Sequence, residues 1–337
     1  MSKLNFAIIG CGRISKNHVN ALINNYENCN LVAVCDIIEE KAQIRKNQYE
    51  DKIKNGNVIV YTNYIEMLEK EEIDVVAICT ESGYHAKNSV DCLNYGKHVL
   101  IEKPMALSID DADEIISLAK DKGLKVGVCH QNRFNPPIQK LRRAIEEGRF
   151  GKIINGTARI LWTRDQNYYD QAPWRGTKAL DGGTLMNQCI HNIDLLQWMM
   201  GSELERVSSE RGTFLRNIEM EDFGAILIRF KNNSIGIVEG SACVYPNNLE
   251  ETLSIFGEKG TVVIGGLAVN KIQTWQFADT RDYDKEDEST EVDNVYGAGH
   301  TPLYENFIDA INSNVEPLIN GEEGKKALGI ILKAYGW

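Results

Sequence analysis

Near its start, the chain has a short apolar run that passes into a turn with two glycines, Leu4-Asn5-Phe6-Ala7-Ile8-Ile9-Gly10-Cys11-Gly12-Arg13-Ile14-Ser15. A helical stretch follows through Tyr26. Glycines at positions 10 and 12 let the backbone turn tightly and approach a pyrophosphate, which would then lie at the N-terminus of the helix. Ser15 takes the third position, where helix and strand packing requires a small residue. This order of strand, turn and helix predicts a dinucleotide site.

An acid follows at the distance that such a site needs. The second predicted strand, 31–35, ends in Asp36, about 20 residues after the turn, where a carboxylate accepts hydrogen bonds from the adenosine ribose. Its charge would repel the 2′-phosphate of NADP, so we expect NAD to bind more tightly. The alternative is a glycine-rich turn that binds no ligand, and it leaves the acid unexplained.

Helices and strands continue to alternate up to residue 129. The strand predicted at 74–79 is apolar throughout, as expected for a strand buried on both faces. Further strands are expected at 58–61, 98–101 and 125–129, and helices at 38–52, 63–70 and 108–122. The pattern predicts an α/β domain over residues 1–127, built on a sheet of six parallel strands.

The strand His98-Val99-Leu100-Ile101-Glu102-Lys103-Pro104 brings a lysine to the edge of this sheet. Ligands of open α/β sheets bind at that edge, so we expect Lys103 to face the substrate; a strand-end lysine in solvent is the alternative. The polar turn Thr80-Glu81-Ser82 leads into a helix near His85, which is either a buried structural histidine or a cofactor contact.

From Gly151 onward the hydrophobic pattern changes to alternation with a period of two. It predicts a second, α+β domain over residues 128–337 with a large, mostly antiparallel sheet, one face of which is free to bind a second subunit. The strands are expected at 153–162, 207–215, 223–230, 234–244, 252–256 and 261–264.

One helical insert is expected inside this region, at 182–198. Asn187, His191 and Asp194 are spaced four and three residues apart, so they would share one helix face. Apolar residues would then reach the core from the opposite face, namely Leu185, Ile193, Leu196 and Met199 or Met200.

Composition narrows the function further. The chain has 337 residues, which fits two domains, and its net charge of −11 without a basic block argues against nucleic acid and anionic membranes as partners. Eight scattered cysteines, without a Cys-x-x-Cys pair or a secretory leader, predict reduced thiols in a cytoplasmic protein. No apolar run approaches the ~18 residues of a membrane span, and we expect no metal site.

Several motifs occur together along the chain. They are the Gly-x-Gly-x-x-Ser turn, Asp36, Glu102-Lys103-Pro104, Trp174-Arg175-Gly176, Gly182-Gly183, His191 and Asp194. In this combination they resemble the glucose-fructose oxidoreductase and inositol dehydrogenase family, over nearly the whole chain. Further motifs resemble a subgroup of that family that oxidises UDP-linked amino-sugar uronates, at 131–133, 162–164, 168–170, 186–188, 245–250 and 257–261.

The resemblance implies an N-terminal Rossmann domain that binds NAD and a second domain for substrate and oligomerisation. It implies oxidation of the C3 hydroxyl of a UDP-linked N-acetylhexosaminuronate on the way to bacterial surface polysaccharides, by a homotetramer or dimer. The implied catalytic residues are Lys103 and His191. The implied cofactor residues are Gly10, Gly12, Arg13, Ile14, Asp36, Thr80, Glu81, Ser82, His85, Glu102, Lys103, Gln131, Trp174 and Arg175, and the substrate residues are Lys103, Arg133, Tyr168, Tyr169, Arg175, Asn187 and His191.

This chain departs from the family pattern at three places. Asn187 stands where many relatives have an aspartate, which leaves Asp194 or Lys103 to tune the base, and Glu81 replaces a proline. The chain also stops at Tyr335-Gly336-Trp337, within the expected final helix, so a truncated helix is expected.

The candidate residues could meet the chemical requirements for oxidising a sugar hydroxyl. Removing a hydride from a secondary alcohol requires a base for the hydroxyl proton and a donor that holds the oxygen. A histidine titrates near neutrality, so we favour His191 as the base and Lys103 as the donor, and the reverse assignment stays open. Two other functions also stay open: a cyclitol or free-sugar dehydrogenase, and a non-catalytic NAD-binding sensor.

Overall fold

The computed structural model describes residues 3–54, 56–291 and 297–337. The chain forms two compact units. The first unit comprises Met1–Cys129 and His300–Lys325, and the second comprises His130–Gly299 and Lys326–Trp337.

The helices and strands are numbered in chain order. The strands are β1 Leu4–Ile9, β2 Cys29–Cys35, β3 Ile59–Tyr61, β4 Val75–Ile78, β5 His98–Ile101, β6 Val126–Val128, β7 Ile153–Leu161, β8 Leu204–Gly212, β9 Phe223–Phe230, β10 Ile235–Ser241, β11 Glu250–Gly257, β12 Gly260–Gly265 and β13 Lys271–Phe277. The helices are α1 Ser15–Asn24, α2 Glu39–Glu50, α3 Tyr64–Lys70, α4 His85–Asn94, α5 Ile109–Lys122, α6 Pro136–Glu146, α7 Gln166–Asp170, α8 Gly183–Asn187, α9 Ile190–Met200, α10 His300–Ser313 and α11 Gly321–Tyr335.

In the described part of the first unit, six parallel strands form a sheet in the order β3-β2-β1-β4-β5-β6. This confirms the predicted Rossmann-type sheet. Strand β4 is buried at every position, as its continuous apolar sequence predicts. All six strands run in the same direction, so their carboxyl ends share one edge, and the glycine turn, Asp36 and Lys103 all follow strands at that edge.

Local signals explain where the helices begin and end. In α5 the side chain of Ser108 accepts a hydrogen bond from the Asp111 N–H at 3.1 Å, and Gly123 ends the helix in the left-handed conformation, with φ of +67°. Acidic residues lie in the first turn and lysines in the last, which suits the helix dipole. Ser108, the first residue of the helix predicted at 108–122, is therefore its N-cap.

The C-terminal part of the chain departs from the predicted boundary at residue 128. His300–Lys325 belongs to the first unit instead of the second. The reason is the apolar face of α10: the ring of Tyr304 lies 5.5 Å from that of Phe6, and Phe307 packs so closely over Gly127 that a side chain there would touch it. The sequence predicts that such a helix has a buried face, but it does not say which sheet the helix covers.

Within its described residues, the second unit contains seven strands in the order β13-β12-β11-β7-β10-β9-β8. Only the β7–β10 pair is parallel among these described strands, so the predicted mostly antiparallel sheet is confirmed. Strand β13 is an edge strand that the sequence pattern did not predict.

The predicted single helix at 182–198 is wrong. The chain forms two helices there, α8 and α9, separated at Gln188 and Cys189. Asn187 ends α8, so it does not share a helix face with His191 and Asp194. The predicted core residues Leu185, Ile193, Leu196, Met199 and Met200 are all buried, as expected.

One face of the second sheet packs against α9, and Leu196 of α9 lies directly over Gly156 of β7. On the other face, Leu227 and Ile237 are paired across β9 and β10 and are about half exposed. This matches the expected free face, and assembly into a dimer or tetramer stays a prediction.

The remaining composition-based expectations concern cysteines and membranes. All eight cysteines are free and seven are buried, which agrees with reduced core residues. Within the described ranges, no helix combines the length and the apolar character that crossing a membrane requires.

Candidate functional site

The glycine turn after β1 has the geometry of a pyrophosphate cradle. Gly10 has φ of +89°, and a Cβ there would lie 2.6 Å from the Cys79 carbonyl, so no other residue fits. Around Gly12, by contrast, an added Cβ would meet no atom within 4 Å. Ser15 is fully buried and donates to the Gly12 carbonyl at 2.7 Å, which ties the turn to the start of α1. The turn is therefore rigid on its protein side and open where a phosphate would approach.

Asp36 is held beside this turn by two backbone amides. Its Oδ2 accepts from the Cys11 N–H at 2.8 Å and its Oδ1 from the Ile38 N–H at 2.9 Å. The carboxylate is half-buried at the end of β2, and each oxygen keeps a second lone pair for ribose hydroxyls. These residues fit an adenine dinucleotide.

Glu102 is a buried anchor next to Lys103. Its Oε1 lies 2.9 Å from His18 Nε2, and its Oε2 accepts the Lys103 N–H at 3.1 Å. Burial by itself would raise the pKa of Glu102, but hydrogen bonds from His18 and His300 outweigh it and hold that pKa well below its usual range. Glu102 is 5% exposed and bonded to the Lys103 backbone, which it positions, and a contact of Glu102 with the cofactor stays a prediction.

His85 also has a structural position. It is 1% exposed, with Nδ1 2.7 Å from the Pro104 carbonyl and Nε2 3.0 Å from the Thr80 carbonyl. Burial lowers the pKa of His85, so the ring is neutral and donates to one of these carbonyls at a time. The ring joins the turn after β4 to the residue after Lys103, which favours the structural alternative, and a cofactor contact at His85 stays a prediction.

Binding of the cofactor by the other predicted residues stays a prediction, and the structure gives the exposure of each one. Arg13 is exposed, Ile14 and Thr80 are half-buried, and Glu81 is half-buried beside the buried Ser82. In the second unit Gln131 is buried, while Trp174 and Arg175 are partly exposed. Lys103 is half-buried, so its side chain retains access to solvent.

His191 lies on the first turn of α9 and is partly exposed. Its ring is perpendicular to that of His130, with 5.7 Å between the ring centroids. His130 itself is 1% exposed. The sequence had not singled out His130, because its segment, 130–133, is distant from α9 in the chain.

A buried ion pair fixes α9 against that segment. Arg133 and Asp194 are both fully buried, and Nε and Nη2 of Arg133 donate to the two Asp194 oxygens at 2.7 and 2.6 Å. Burial would raise the pKa of Asp194, but the charges of Arg133 and His130 outweigh it and lower that pKa. The Arg133 guanidinium is buried against Asp194, and substrate binding by Arg133 stays a prediction.

Asn187 is held by another buried acid, Asp181. The Asn187 amide donates to Asp181 Oδ1, and the Gly176 N–H donates to Asp181 Oδ2 at 2.6 Å. An aspartate at position 187 would face the Asp181 carboxylate and repel it. The neutral amide, which departs from the family pattern, therefore matches its partner in this chain.

Two guanidinium groups flank one tyrosine, and we call Arg164, Tyr168 and Arg175 the arginine–tyrosine cluster. Arg175 donates to the Tyr168 hydroxyl at 2.6 Å and stacks 4.4 Å from its ring, while Arg164 lies 5.3 Å from the same ring. Gln188 donates to the same hydroxyl at 3.0 Å. Among the described residues, no carboxylate oxygen lies within 4.0 Å of either guanidinium, and Arg164 donates to the Thr163 carbonyl at 2.7 Å.

The neighbouring Tyr169, unlike Tyr168, is buried. It is 5% exposed, its ring packs edge-on against Tyr168 at 5.1 Å, and burial raises the pKa of its hydroxyl above the usual range. Tyr169 supports Tyr168 from the interior, and its role as a substrate ligand stays a prediction. Arg164 stood only in a family-like motif, and its proximity to Tyr168 was not visible in the sequence.

Comparison with protein families agrees with this description. Residues 4–130 match the oxidoreductase family with an NAD-binding Rossmann fold, and residues 138–263 match the GFO/IDH/MocA C-terminal domain.

Solved structures and sequence relatives add detail. The WlbA dehydrogenase from Bordetella pertussis, solved with NADH and UDP-GlcNAcA, is 35% identical with a TM-score of 0.89, covering 99% of this chain and 96% of that chain. The corresponding enzyme from Chromobacterium violaceum, with the same ligands, is 37% identical with a TM-score of 0.89, covering 99% and 93%. Myo-inositol 2-dehydrogenase from Thermotoga maritima is 26% identical over 334 residues, which is 96% of this chain and 93% of the relative.

Proposed function

Because the chain belongs to the GFO/IDH/MocA family of NAD-binding oxidoreductases, we propose that it oxidises the C3 hydroxyl of a UDP-linked N-acetylhexosaminuronate to the 3-keto sugar. NAD is the cofactor of this family, and the open space at Gly12 and the fixed carboxylate of Asp36 fit it. When bound, NAD accepts the hydride that leaves the sugar carbon. Use of the product in bacterial surface polysaccharides is the role that the sequence resemblance implies.

The arginine–tyrosine cluster is the observation that best supports an anionic nucleotide sugar as the substrate. In the described part of the chain, no carboxylate oxygen lies within 4.0 Å of the Arg164 or Arg175 guanidinium, and the two groups flank one tyrosine, so together they would suit an anionic ligand. A neutral cyclitol offers no charge to them. A nucleotide sugar offers a diphosphate and, in the uronate, a carboxylate, and both WlbA dehydrogenases were solved with such a ligand.

We propose that His191 and Lys103 act on the reacting hydroxyl. His191 is partly exposed at the start of α9, and a neutral imidazole would accept the hydroxyl proton there. Lys103 would donate a hydrogen bond to the oxygen as negative charge develops there. Glu102, bonded to the Lys103 backbone, would hold the lysine at the end of β5.

A substrate panel tests this proposal. The protein is incubated with NAD and UDP-GlcNAcA, UDP-GlcNAc or myo-inositol, and reduced nicotinamide is followed by its absorbance. We expect kcat/KM for the uronate to exceed that for UDP-GlcNAc by about one to two decades, the effect of losing a charged hydrogen-bonded pair. Faster oxidation of myo-inositol would instead identify a cyclitol dehydrogenase, and NADH binding without any turnover would favour the sensor.

Substitutions in the arginine–tyrosine cluster test whether it binds the substrate. Arg164→Gln and Arg175→Gln should each raise KM for the UDP-sugar by about tenfold or more, since each removes one charge that an anion would meet. Arg143→Gln, on the exposed side of α6, is the matched control and should leave KM unchanged. Equal effects of all three substitutions would contradict a binding role for the cluster.

A further inference from the structure

The last turn of α11 contacts the start of α8. The hydroxyl of Tyr335 lies 2.7 Å from the Gly182 carbonyl and 2.7 Å from Glu221 Oε1. Gly182 and Gly183 both have positive φ, +83° and +91°, and they set the direction of α8. This helix leads to Asn187 and, after a short break, to His191, so the turn determines where both side chains lie.

Counting protons at this contact identifies the state of Glu221. A tyrosine hydroxyl has one proton, yet both of its neighbours here are acceptors if Glu221 is ionised. One of the two 2.7 Å contacts would then join two oxygens without a proton between them. If Glu221 carries a proton, it donates to Tyr335, Tyr335 donates to the Gly182 carbonyl, and every contact holds one proton.

The surroundings of Glu221 favour the same state. The residue is 2% exposed, its Oε2 is buried without a hydrogen-bond partner, and a Cβ on Gly183 would lie 2.4 Å from that oxygen. An ionised carboxylate with one oxygen so placed is strongly disfavoured, whereas the neutral acid tolerates it. Burial raises the pKa of Glu221 to about 7, against the lowering effects of the Leu185 N–H, Tyr335 and Arg211.

The charged and titratable groups that face this pair come from three elements. Arg211 of β8 lies near Glu221 and its side chain stacks 4.8 Å from the Tyr335 ring. From α8 the Leu185 N–H donates to Glu221 Oε1 at 2.8 Å, and Cys189, just after α8, faces Tyr335. Tyr335 itself comes from α11, and burial raises the pKa of its hydroxyl well above the usual range, so it stays a donor throughout the neutral range.

We propose that Tyr335 and the neutral acid form of Glu221 are positioning residues, which hold the Gly182–Leu185 turn and thereby place Asn187 and His191. Neither residue contacts the reacting groups. The effect on turnover rests on the proposed function, whereas the protonation state of Glu221 does not.

The first experiment measures stability and needs no substrate. A glutamate that is neutral in the folded protein and ionised in the unfolded chain destabilises the fold as pH rises from about 4.3, its unfolded pKa, to about 7, its folded pKa. Glu221→Gln removes this titration. The melting temperature of the variant minus that of the wild type should therefore increase by several degrees as pH rises from 5 to 7, and should not increase further above pH 8. A difference that stays constant with pH would overturn the neutral assignment.

Glu219→Gln is the matched control, because Glu219 is exposed and lies two residues earlier in the same loop. Its difference from the wild type should not change in this way between pH 5 and pH 8. A gain of equal size in this control would also overturn the assignment, since a surface glutamate would then explain the effect.

The second experiment uses Tyr335→Phe, which keeps the ring and removes the hydroxyl. We expect kcat to fall roughly tenfold, the scale of one misplaced hydrogen bond, with NADH affinity unchanged. Glu221→Gln has no titrating group at this position, so its kcat should lack the pH-dependent decline above about pH 7 that ionisation of Glu221 causes in the wild type. Wild-type kcat in Tyr335→Phe, or an unchanged pH profile in Glu221→Gln, would overturn the positioning role.

Discussion

The glycine turn of the first unit and the polar groups of the second unit are held in different ways. Gly10, Ser15 and Asp36 are fixed by backbone groups, namely the Cys79 carbonyl, the Gly12 carbonyl and the Cys11 amide. In the second unit, side chains from separate segments hold one another, as Arg133 and Asp194 do across 61 positions of sequence. A site of the first kind depends on chain conformation and tolerates few backbone changes, whereas one of the second kind depends on charge and on long-range packing.

Replacing the proposed base should distinguish the two units most clearly, because we expect it to change turnover and to leave NADH binding intact. His191→Asn should lower kcat by roughly 10²–10⁴, because the amide does not accept the hydroxyl proton. NADH affinity, measured by fluorescence titration, should stay nearly constant, since the nucleotide residues of the first unit are untouched. An unimpaired variant would show that another group, with Lys103 first among them, is the base.

Breaking the buried ion pair should damage the second unit alone. Asp194→Asn leaves the fully buried Arg133 without a counterion, and unfolding free energy in urea should fall by about 3–5 kcal/mol. Glu239→Gln, which removes a half-exposed partner of Arg159, is the matched control and should change stability by less than about 1 kcal/mol. Replacing both Arg133 and Asp194 by apolar residues should recover much of the loss, and failure to do so would point to packing instead of charge.

Two glycine substitutions test the first unit, where backbone conformation dominates. Gly10→Ala requires a left-handed residue and a Cβ 2.6 Å from the Cys79 backbone, so we expect a loss of about 2–4 kcal/mol in stability. Gly12→Ala meets no protein atom and should change stability by less than about 0.5 kcal/mol, yet weaken NAD binding by about tenfold or more. Equal stability losses in the two variants would contradict the view that Gly12 serves the ligand.

The smallest effect should concern cofactor choice. The Asp36 carboxylate, held by the Cys11 and Ile38 amides, should repel a 2′-phosphate and favour NAD over NADP by about one to two decades in affinity. Asp36→Ser should narrow that ratio, although it also removes an acceptor from the glycine turn. Equal dissociation constants for the two cofactors in the wild type would contradict this role.

Much of the first unit could be predicted from sequence, because its signals are local. The alternation of helix and strand predicted six parallel strands, and Ser108, Gly10 and Asp36 each lie where the local pattern placed them. The predicted mostly antiparallel sheet of the second unit is also confirmed, since period-two alternation directly reports one buried face. Among the described strands, β13 was missed because it is a half-exposed edge strand with a weak apolar pattern.

By itself, then, the sequence determined the fold class, the cofactor and the candidate residues that follow strands at the edge of the first sheet. Only the tertiary structure decided that α10 belongs to the first unit, that Arg133 and Tyr169 are interior residues, that Arg164 joins Tyr168, and that Tyr335 meets Glu221. The physical reason is that periodicity and turn chemistry act over a few residues. Burial and ion pairing depend on which distant segments pack together, and no local pattern in the chain records that.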